Sequence, residues 1–171
     1  CDWSSDVCSS DLLVMLDTMQ PGSHSGHCPE AVAGWLERTL AARPGVPTLL
    51  FMHHPPFVTG MGAMDEPFEN VGRLADILSR SPWVRLCCGH MHRPIVTQWA
   101  GCIALTSPAV SMQIDLDLSP EGGDTFRMET PGYLLHHWDG SVLNSHICQI
   151  PCSPTFSGPH PFVGSVNPVE G

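Results

Sequence analysis

Residues 84–92 read VRLCCGHMH, an apolar run that ends in Gly89 and two histidines with one residue between them. A continuous apolar run of this length is typical of a buried β-strand, and a glycine directly after it allows the chain to turn. His90 and His92 are therefore expected where a strand leaves its sheet. Two imidazoles so close in the chain indicate a metal site there, because histidine is the commonest metal ligand near neutral pH.

A second histidine pair follows another apolar run. Residues 46–52 read VPTLLFM, and His53, His54 and two prolines come next. The prolines stiffen the loop, so the imidazole rings lose little further freedom when they are held in one orientation. Side chains at the carboxyl ends of neighbouring strands lie at the edge where α/β sheets build their sites. The two histidine pairs are thus predicted to share one site. The alternative is that residues 53–56 form a rigid surface turn without a functional role.

Strands and helices alternate along the first part of the chain. Short apolar runs predict three buried strands, at residues 12–16, 46–52 and 83–88. Apolar residues at helical spacing predict two helices between them, one from Pro29 to just before Pro44 and one over residues 68–78. This order of elements is that of an α/β fold.

The pattern changes after the second histidine pair. Alternating apolar and polar residues over 112–118 predict a half-buried strand, and Asp139-Gly140 predicts a hairpin between residues 131–138 and 141–150. Residues 151–171 are rich in Pro and Gly, which predicts a mobile tail. Residues 1–11 contain a near-repeat that resembles translated adapter sequence, so this segment is expected to be non-native and the domain to span residues 12–150.

Composition narrows the classes of partner. The chain has 171 residues, a formal net charge of -10 and only 7 lysines and arginines. This length suits one domain, and the acidic balance disfavours a nucleic-acid polymer as partner, because phosphate contacts need a basic surface. A small phosphorylated substrate stays compatible if metal ions supply positive charge. No apolar run approaches the roughly 20 residues that span a bilayer, so no membrane association and a cytoplasmic location are expected.

Both histidine motifs resemble one known family. The segment MHHPP at residues 52–56, with GHMH at residues 89–92, resembles the second half of a calcineurin-like metallophosphoesterase. The flanking sequence resembles the bacterial cyclic-nucleotide and glycerophosphodiester phosphodiesterases of that superfamily. The matching segments are residues 16–18, 56–57, 60–65, 113–116 and 131–138. The likeness covers residues 12–150.

The resemblance implies a fold, a cofactor and a reaction. The fold is α/β, the second half of a four-layer α/β/β/α sandwich with a binuclear metal centre. Carried over by motif, His53 and His90 bind the first metal ion and His92 the second, the ions being Fe, Mn, Zn or Co. Metal-activated hydroxide would then hydrolyse a P–O bond of a small phosphodiester, a cyclic nucleotide or a glycerophosphodiester. His54 would bond to the substrate or the leaving oxygen, or else pack behind the ligands.

Other ligand motifs of the family are absent from the sequence, namely Asp-x-His, Gly-Asp-x-x-Asp and Gly-Asn-His-Asp. Three histidines shared by two ions are fewer ligands than a tight catalytic site uses, so weak metal binding and poor turnover are expected of the chain alone. The alternative function is a catalytically inactive fragment or a metal-binding module without turnover. A redox or zinc-ribbon function of Cys87 and Cys88 is disfavoured, because adjacent strand residues face opposite sides. Homo-oligomer formation by a full-length protein stays open.

Overall fold

A computed structural model describes residues 11–62, 64–119 and 125–151 of the chain. Its centre is a five-stranded sheet, whose strands are β1 (Leu12–Met15), β2 (Thr48–Met52), β3 (Val84–Cys88), β4 (Ile95–Trp99) and β5 (Cys102–Thr106). The spatial order is β1-β2-β3-β5-β4, and only β4 is antiparallel to its neighbour. Two helices connect the first three strands, α1 (Glu30–Ala41) and α2 (Val71–Ser79). The predicted α/β class and its alternating elements are confirmed.

The hydrophobic core lies between the helices and one face of this sheet. Alternate strand residues point to that face, among them Val14, Leu50 and Leu86. Leu36 of α1 and Leu74 of α2 pack against them and are fully buried. Each such leucine contributes roughly 1.5–3 kcal/mol by leaving water, so this layer holds the three strand ends in place.

A hairpin covers part of the opposite sheet face. It comprises β8 (Gly132–Trp138) and β9 (Leu143–Gln149), in agreement with the predicted hairpin, but its loop spans four residues where a two-residue turn was expected. Asp139 stabilises the longer loop, because its Oδ1 accepts hydrogen bonds from the backbone of residues 141 and 142. Arg85 of β3 donates to Ser145 Oγ of the hairpin at 2.7 Å. At the other end of the face, Leu13 and Met15 of the edge strand stay 61% and 75% exposed.

The strand predicted at residues 112–118 is wrong in extent and in pattern. Only β6 (Gln113–Ile114) is extended, paired with β7 (Phe126–Arg127). Gln113 is buried although it is polar, because its side-chain amide bonds to both the carbonyl and the N–H of Ala109. Leu116 and Leu118, expected on the buried side, are exposed. Local amide bonding, which alternation does not reveal, decides which side of this segment is buried.

The β4–β5 hairpin was not predicted. Its two turn residues, Ala100 and Gly101, both have positive φ, 47° and 80°. These values belong to the type I′ turn that joins antiparallel strands, where Asn-Gly is the usual signal. Alanine rarely adopts positive φ, so the sequence gives no signal for this turn.

Predictions for the chain ends lie largely outside the described residues. The segment 1–11 is described only at its last residue, and the segment 151–171 only at its first. Neither the non-native start nor the mobile tail is therefore tested, and the domain limits stay predictions. None of the helices in the described part of the chain combines the length and apolar character that crossing a bilayer requires.

Candidate metal centre

The register of the sheet brings the two histidine motifs together. Met52 at the end of β2 pairs with Cys88 at the end of β3. One residue further on, the Gly89 N–H donates to the His53 carbonyl at 3.0 Å, so the two loops leave the sheet side by side. The expectation that both histidine motifs meet at the carboxyl edge of the sheet is confirmed.

Three imidazoles form one cluster at this edge. One ring nitrogen from each of His53, His54 and His90 lies within 4.8 Å of the other two. The rings stand at steep angles, with centroids 4.8 Å apart for His53 and His54, and 5.3 Å for His53 and His90. His54 and His90 are 5.2 Å apart. Metal–nitrogen bonds of about 2.0–2.1 Å leave ligand nitrogens at most about 4 Å apart, so small movements of these rings would let the nitrogens converge on a single cation.

The backbone of the second motif is held in an unusual conformation. His90 and His92 have positive φ, 66° and 51°, which is uncommon for residues other than glycine. The Met91 N–H donates to the Gly89 carbonyl at 2.7 Å, so His90 is the central residue of a γ-turn. Gly89 itself is not among the residues with positive φ. A Cβ there would lie 3.2 Å from His53 Nδ1, so glycine is needed for close approach rather than for the turn.

Met91, the residue between the two motif histidines, anchors the turn. Its side chain is completely buried in a small second core with Met61 and Ile114. Because Met91 points into the protein, its neighbours His90 and His92 are free to point elsewhere. Sequence reasoning missed this role. The signal that could have revealed it is the apolar residue inside an otherwise polar motif.

Thr18, just beyond β1, holds His54. Thr18 Oγ1 lies 2.9 Å from His54 Nδ1, and the same oxygen accepts a longer bond of 3.4 Å from the His54 backbone N–H. The threonine is buried, so its hydroxyl has a fixed environment. With Nδ1 so engaged, Nε2 is the nitrogen of His54 left for other partners, and the backbone of His24 also bonds to this ring. The Thr18–His54 contact joins three strand ends in one site and was not predicted.

The electrostatics of the cluster favour neutral imidazoles. Burial lowers the pKa of His54, and the charge of His53 lowers it further. Burial also lowers the pKa of His90, followed by the charges of His54 and His53. Neutral imidazole is the form that binds metal, so these rings are ready to act as ligands near neutral pH.

One nitrogen of the cluster has no hydrogen-bond partner in the described part of the protein. This nitrogen is Nε2 of His90, which is buried. A buried polar atom without a partner costs about 1–3 kcal/mol unless something binds it. A divalent cation held by imidazole nitrogens would satisfy this atom, so the three histidines fit a metal ion.

His92 lies outside the three-residue cluster. Its Nδ1 is 3.2 Å from the Met112 carbonyl, an acceptor, so Nδ1 carries the proton and Nε2 is left available. This is the arrangement found in most metal-binding histidines, where one nitrogen binds metal and the other donates to the protein. Binding of a second ion by His92 stays a prediction.

Asp17, the nearest acid to the end of β1, accepts a hydrogen bond from the Met19 N–H at 2.9 Å.

The adjacent cysteines do not form a reactive site. Burial raises the pKa of Cys87 to about 12 and that of Cys88 well above its usual value. Both thiols are therefore protonated at neutral pH, whereas redox and metal chemistry use the thiolate. Cys87 instead contacts His136 Nε2 at 3.6 Å, and His136 Nδ1 bonds to Ser145 at 2.7 Å. His136 thus has structural partners in Cys87 and Ser145.

Known proteins similar to the chain are bacterial phosphodiesterases. The chain is 38% identical over 154 residues to a protein of Arcobacter nitrofigilis described as "Probable glycerophosphodiester phosphodiesterase GpdQ", covering 88% of this chain and 55% of that protein. It is 34% identical over 134 residues to 3',5'-cyclic adenosine monophosphate phosphodiesterase CpdA of Escherichia coli K12, covering 76% and 48%.

A third similar protein is also described as a bacterial phosphodiesterase. Glycerophosphodiester phosphodiesterase GpdQ of Enterobacter lignolyticus is 33% identical over 139 residues, covering 78% of this chain and 49% of that protein. The chain thus spans about half the length of the curated relatives it matches. No protein-family profile matches it.

Proposed function

Since the chain belongs to the bacterial GpdQ and CpdA type of calcineurin-like phosphodiesterases, we propose that it supplies half of a metal-dependent phosphodiesterase site. The observation that carries the proposal is the cluster of His53, His54 and His90 around the unpartnered Nε2 of His90. The proposed reaction is hydrolysis of a P–O bond in a small phosphodiester.

The proposed ligands are those that the motif implies. His53 and His90 hold the first of two metal ions, and His92 holds the second through Nε2. The Met112 carbonyl supports this assignment, because it keeps the proton of His92 on Nδ1. When bound, the ions lower the pKa of water to around 7 and stabilise charge on the phosphoryl oxygens.

His54 is proposed to act on the substrate rather than as a primary ligand. Thr18 holds its Nδ1, which leaves Nε2 to donate a hydrogen bond to a phosphoryl oxygen or to the leaving oxygen. The lowered pKa of His54 keeps the ring neutral at neutral pH, so it serves as a hydrogen-bond donor that does not repel a nearby cation. The fixed orientation also reduces the entropy lost on substrate binding.

The proposed substrate class is a small phosphodiester. A net charge of -10 gives little attraction for a polyanion, whereas one phosphate can be neutralised locally by the metal ions. The relatives are named for two such substrates, a glycerophosphodiester and cyclic adenosine monophosphate. Either is compatible with an open site at the sheet edge.

A second candidate function is a metal-binding module without turnover. The observation that favours it is the set of possible ligands. Among the described residues, the three-residue cluster contains imidazoles and no carboxylate. Without carboxylate ligands two cations would repel each other across the site. Titration of the chain with metal separates the candidates, because two tightly bound ions per chain would contradict the inactive module.

Hydrolysis of bis(4-nitrophenyl) phosphate with added Mn²⁺ tests the phosphodiesterase proposal. The assay compares the complete reading frame that contains this chain with its His90→Ala variant. Loss of activity in the variant is expected. His146→Ala, in which an exposed histidine of the hairpin is replaced, is the matched control and should keep full activity. Equal activity of the parent and His90→Ala would refute the assignment.

A further inference from the structure

A small cavity adjoins the histidine cluster. Its volume is about 10 Å3, and Gly26, His54, Glu66 and His90 are among its lining residues. A space of about 10–15 Å3 admits one water-sized particle. The cavity is therefore large enough for a single water molecule and too small for a substrate.

Two buried polar atoms without partners belong to residues that line this one cavity. They are Oε2 of Glu66 and Nε2 of His90, two of five such atoms in the described part of the chain. A buried carboxylate oxygen is costly to leave without a hydrogen bond, more so than a neutral group. Two such atoms, on residues that line one water-sized space, support a bound water molecule in that space when the site holds metal.

The loop that carries Glu66 is firmly held on both sides. Asp65 accepts bonds from the Thr59 N–H at 2.8 Å and from the Gly60 N–H at 2.7 Å. Beyond Glu66, the Glu69 N–H donates to the Gly26 carbonyl at 2.9 Å. Glu66 thus faces the cavity from a fixed backbone.

Charge supports the same location. The Glu66 carboxylate lies near enough to His54 and His90 for its charge to act on both rings. None of the salt bridges among the described residues involves Glu66. Glu66 lies outside the group of ligand atoms within 4.8 Å of one another, so its carboxylate is farther than this from at least one of the three rings.

We propose that Glu66 is a further residue of the cation site, its carboxylate reaching the bound ion through one water molecule in the cavity it shares with His54 and His90. This inference rests on the proposed metal centre. The imidazole ligands His53 and His90 are neutral when they bind metal and leave the charge of a divalent cation unbalanced, and Glu66 offsets part of it. Carboxylates that act on a metal through an intervening group typically change its affinity by about 10–100-fold.

Co²⁺ titration of the 171-residue chain tests the inference, with calorimetry for affinity and visible absorption for the ligand set. Glu66→Gln should bind Co²⁺ about 10–100-fold more weakly than the parent, because it keeps the shape and removes the charge. Glu66→Asp, which keeps the charge, should lose less. Glu69→Gln is the matched control, because Glu69 is an exposed glutamate of the same loop, and it should equal the parent.

The outcomes distinguish this inference from the proposed function. If the parent binds Co²⁺, His90→Ala does not, and Glu66→Gln binds as the parent does, the metal centre stands and the assignment of Glu66 is overturned. Failure of the parent itself to bind Co²⁺ would overturn both. Thermal unfolding of each variant without metal checks folding, and if Glu66→Gln fails to fold, the affinity of Glu66→Asp relative to Glu69→Gln decides.

Discussion

Thr18 Oγ1 and His54 Nδ1 lie 2.9 Å apart, and this contact joins the segment after β1 to the loop after β2. The two residues are 36 positions apart in the chain; Thr18 is buried and His54 is half-buried. The hydroxyl engages Nδ1, so Nε2 is the ring nitrogen of His54 left for other partners. Orientation of this ring is therefore set by a residue outside both histidine motifs.

Replacement of Thr18 by valine should loosen His54 without changing the shape of the core. We expect the free energy of unfolding to fall by about 1 kcal/mol, the usual net value of one hydrogen bond. Co²⁺ affinity should fall as well, because the loosened His54 ring lies against the proposed ligands His53 and His90. Urea denaturation and Co²⁺ titration measure the two effects. Thr39→Val, which removes a hydroxyl bonded only within α1, is the control and should leave Co²⁺ binding unchanged. Equal Co²⁺ affinities for Thr18→Val and the parent would contradict this function of Thr18.

Met91→Ala should affect both stability and the site. Removal of a fully buried methionine creates a cavity and is expected to cost about 2–5 kcal/mol. The turn that carries His90 and His92 loses its anchor at the same time, so Co²⁺ binding should weaken as well. Met128→Ala, at a methionine that is 80% exposed, should change neither quantity. A destabilised Met91→Ala variant that binds Co²⁺ normally would show that Met91 serves stability alone.

Gly89→Ala should disturb the site more than the fold. The added Cβ would lie 3.2 Å from His53 Nδ1, closer than an ordinary van der Waals contact, so the His53 ring must move. We expect weaker Co²⁺ binding together with a loss of stability below about 1.5 kcal/mol. In α2, Gly72→Ala is the matched control, because a Cβ there meets nothing within 4 Å. It should keep Co²⁺ binding and gain up to about 1 kcal/mol in stability from helix propensity.

Acidification should destabilise the chain through His136. Burial, followed by the charge of Arg85, lowers the pKa of His136 in the folded protein, whereas in the unfolded chain it has its ordinary value of about 6.5. The unfolded state therefore binds more protons, and the stability present above about pH 6.5 is lost as the pH falls toward the folded pKa.

The measurement is urea denaturation at about pH 7.5 and about pH 5.5, a window in which histidines are the main titrating groups. The loss of stability between these values should be smaller in His136→Gln than in the parent. His137→Gln, at the exposed neighbour on the other side of the strand, should behave like the parent. The same pH dependence in all three proteins would refute the attribution to His136.

Met15→Lys should reduce self-association of the chain. Met15 is 75% exposed on β1, an edge strand of the sheet, and it lies beside the equally apolar Leu13. Apolar edge strands pair with other chains, and a lysine there is a common protection against such pairing. Light scattering at increasing concentration is the measurement. Met128→Lys, which places the same charge at another exposed methionine, is the control. An equal decrease in both variants would point to net charge rather than to the edge strand.

Much of the fold could be predicted from local patterns in the sequence. The strands that end at Met52 and Cys88, and the helices between the strands, are continuous apolar runs or helical repeats, so their burial is visible in the sequence. Residues 112–118 were misjudged because the side-chain amide of Gln113 bonds to Ala109 and is buried with it. The turn at Ala100 was missed because its positive φ goes against the preference of alanine.

By itself the sequence determined that His53, His54 and His90 meet, because parallel strands in register bring their carboxyl ends to one edge of the sheet. Only the tertiary structure decided how the rings are held. Thr18 contacts His54 from 36 positions away and Glu66 lines a cavity with His54 and His90, and no periodic pattern encodes such placements. They depend on how β1 and the loop before α2 pack around the strand ends, and packing in three dimensions is what sets the direction of a side chain and the charge around it.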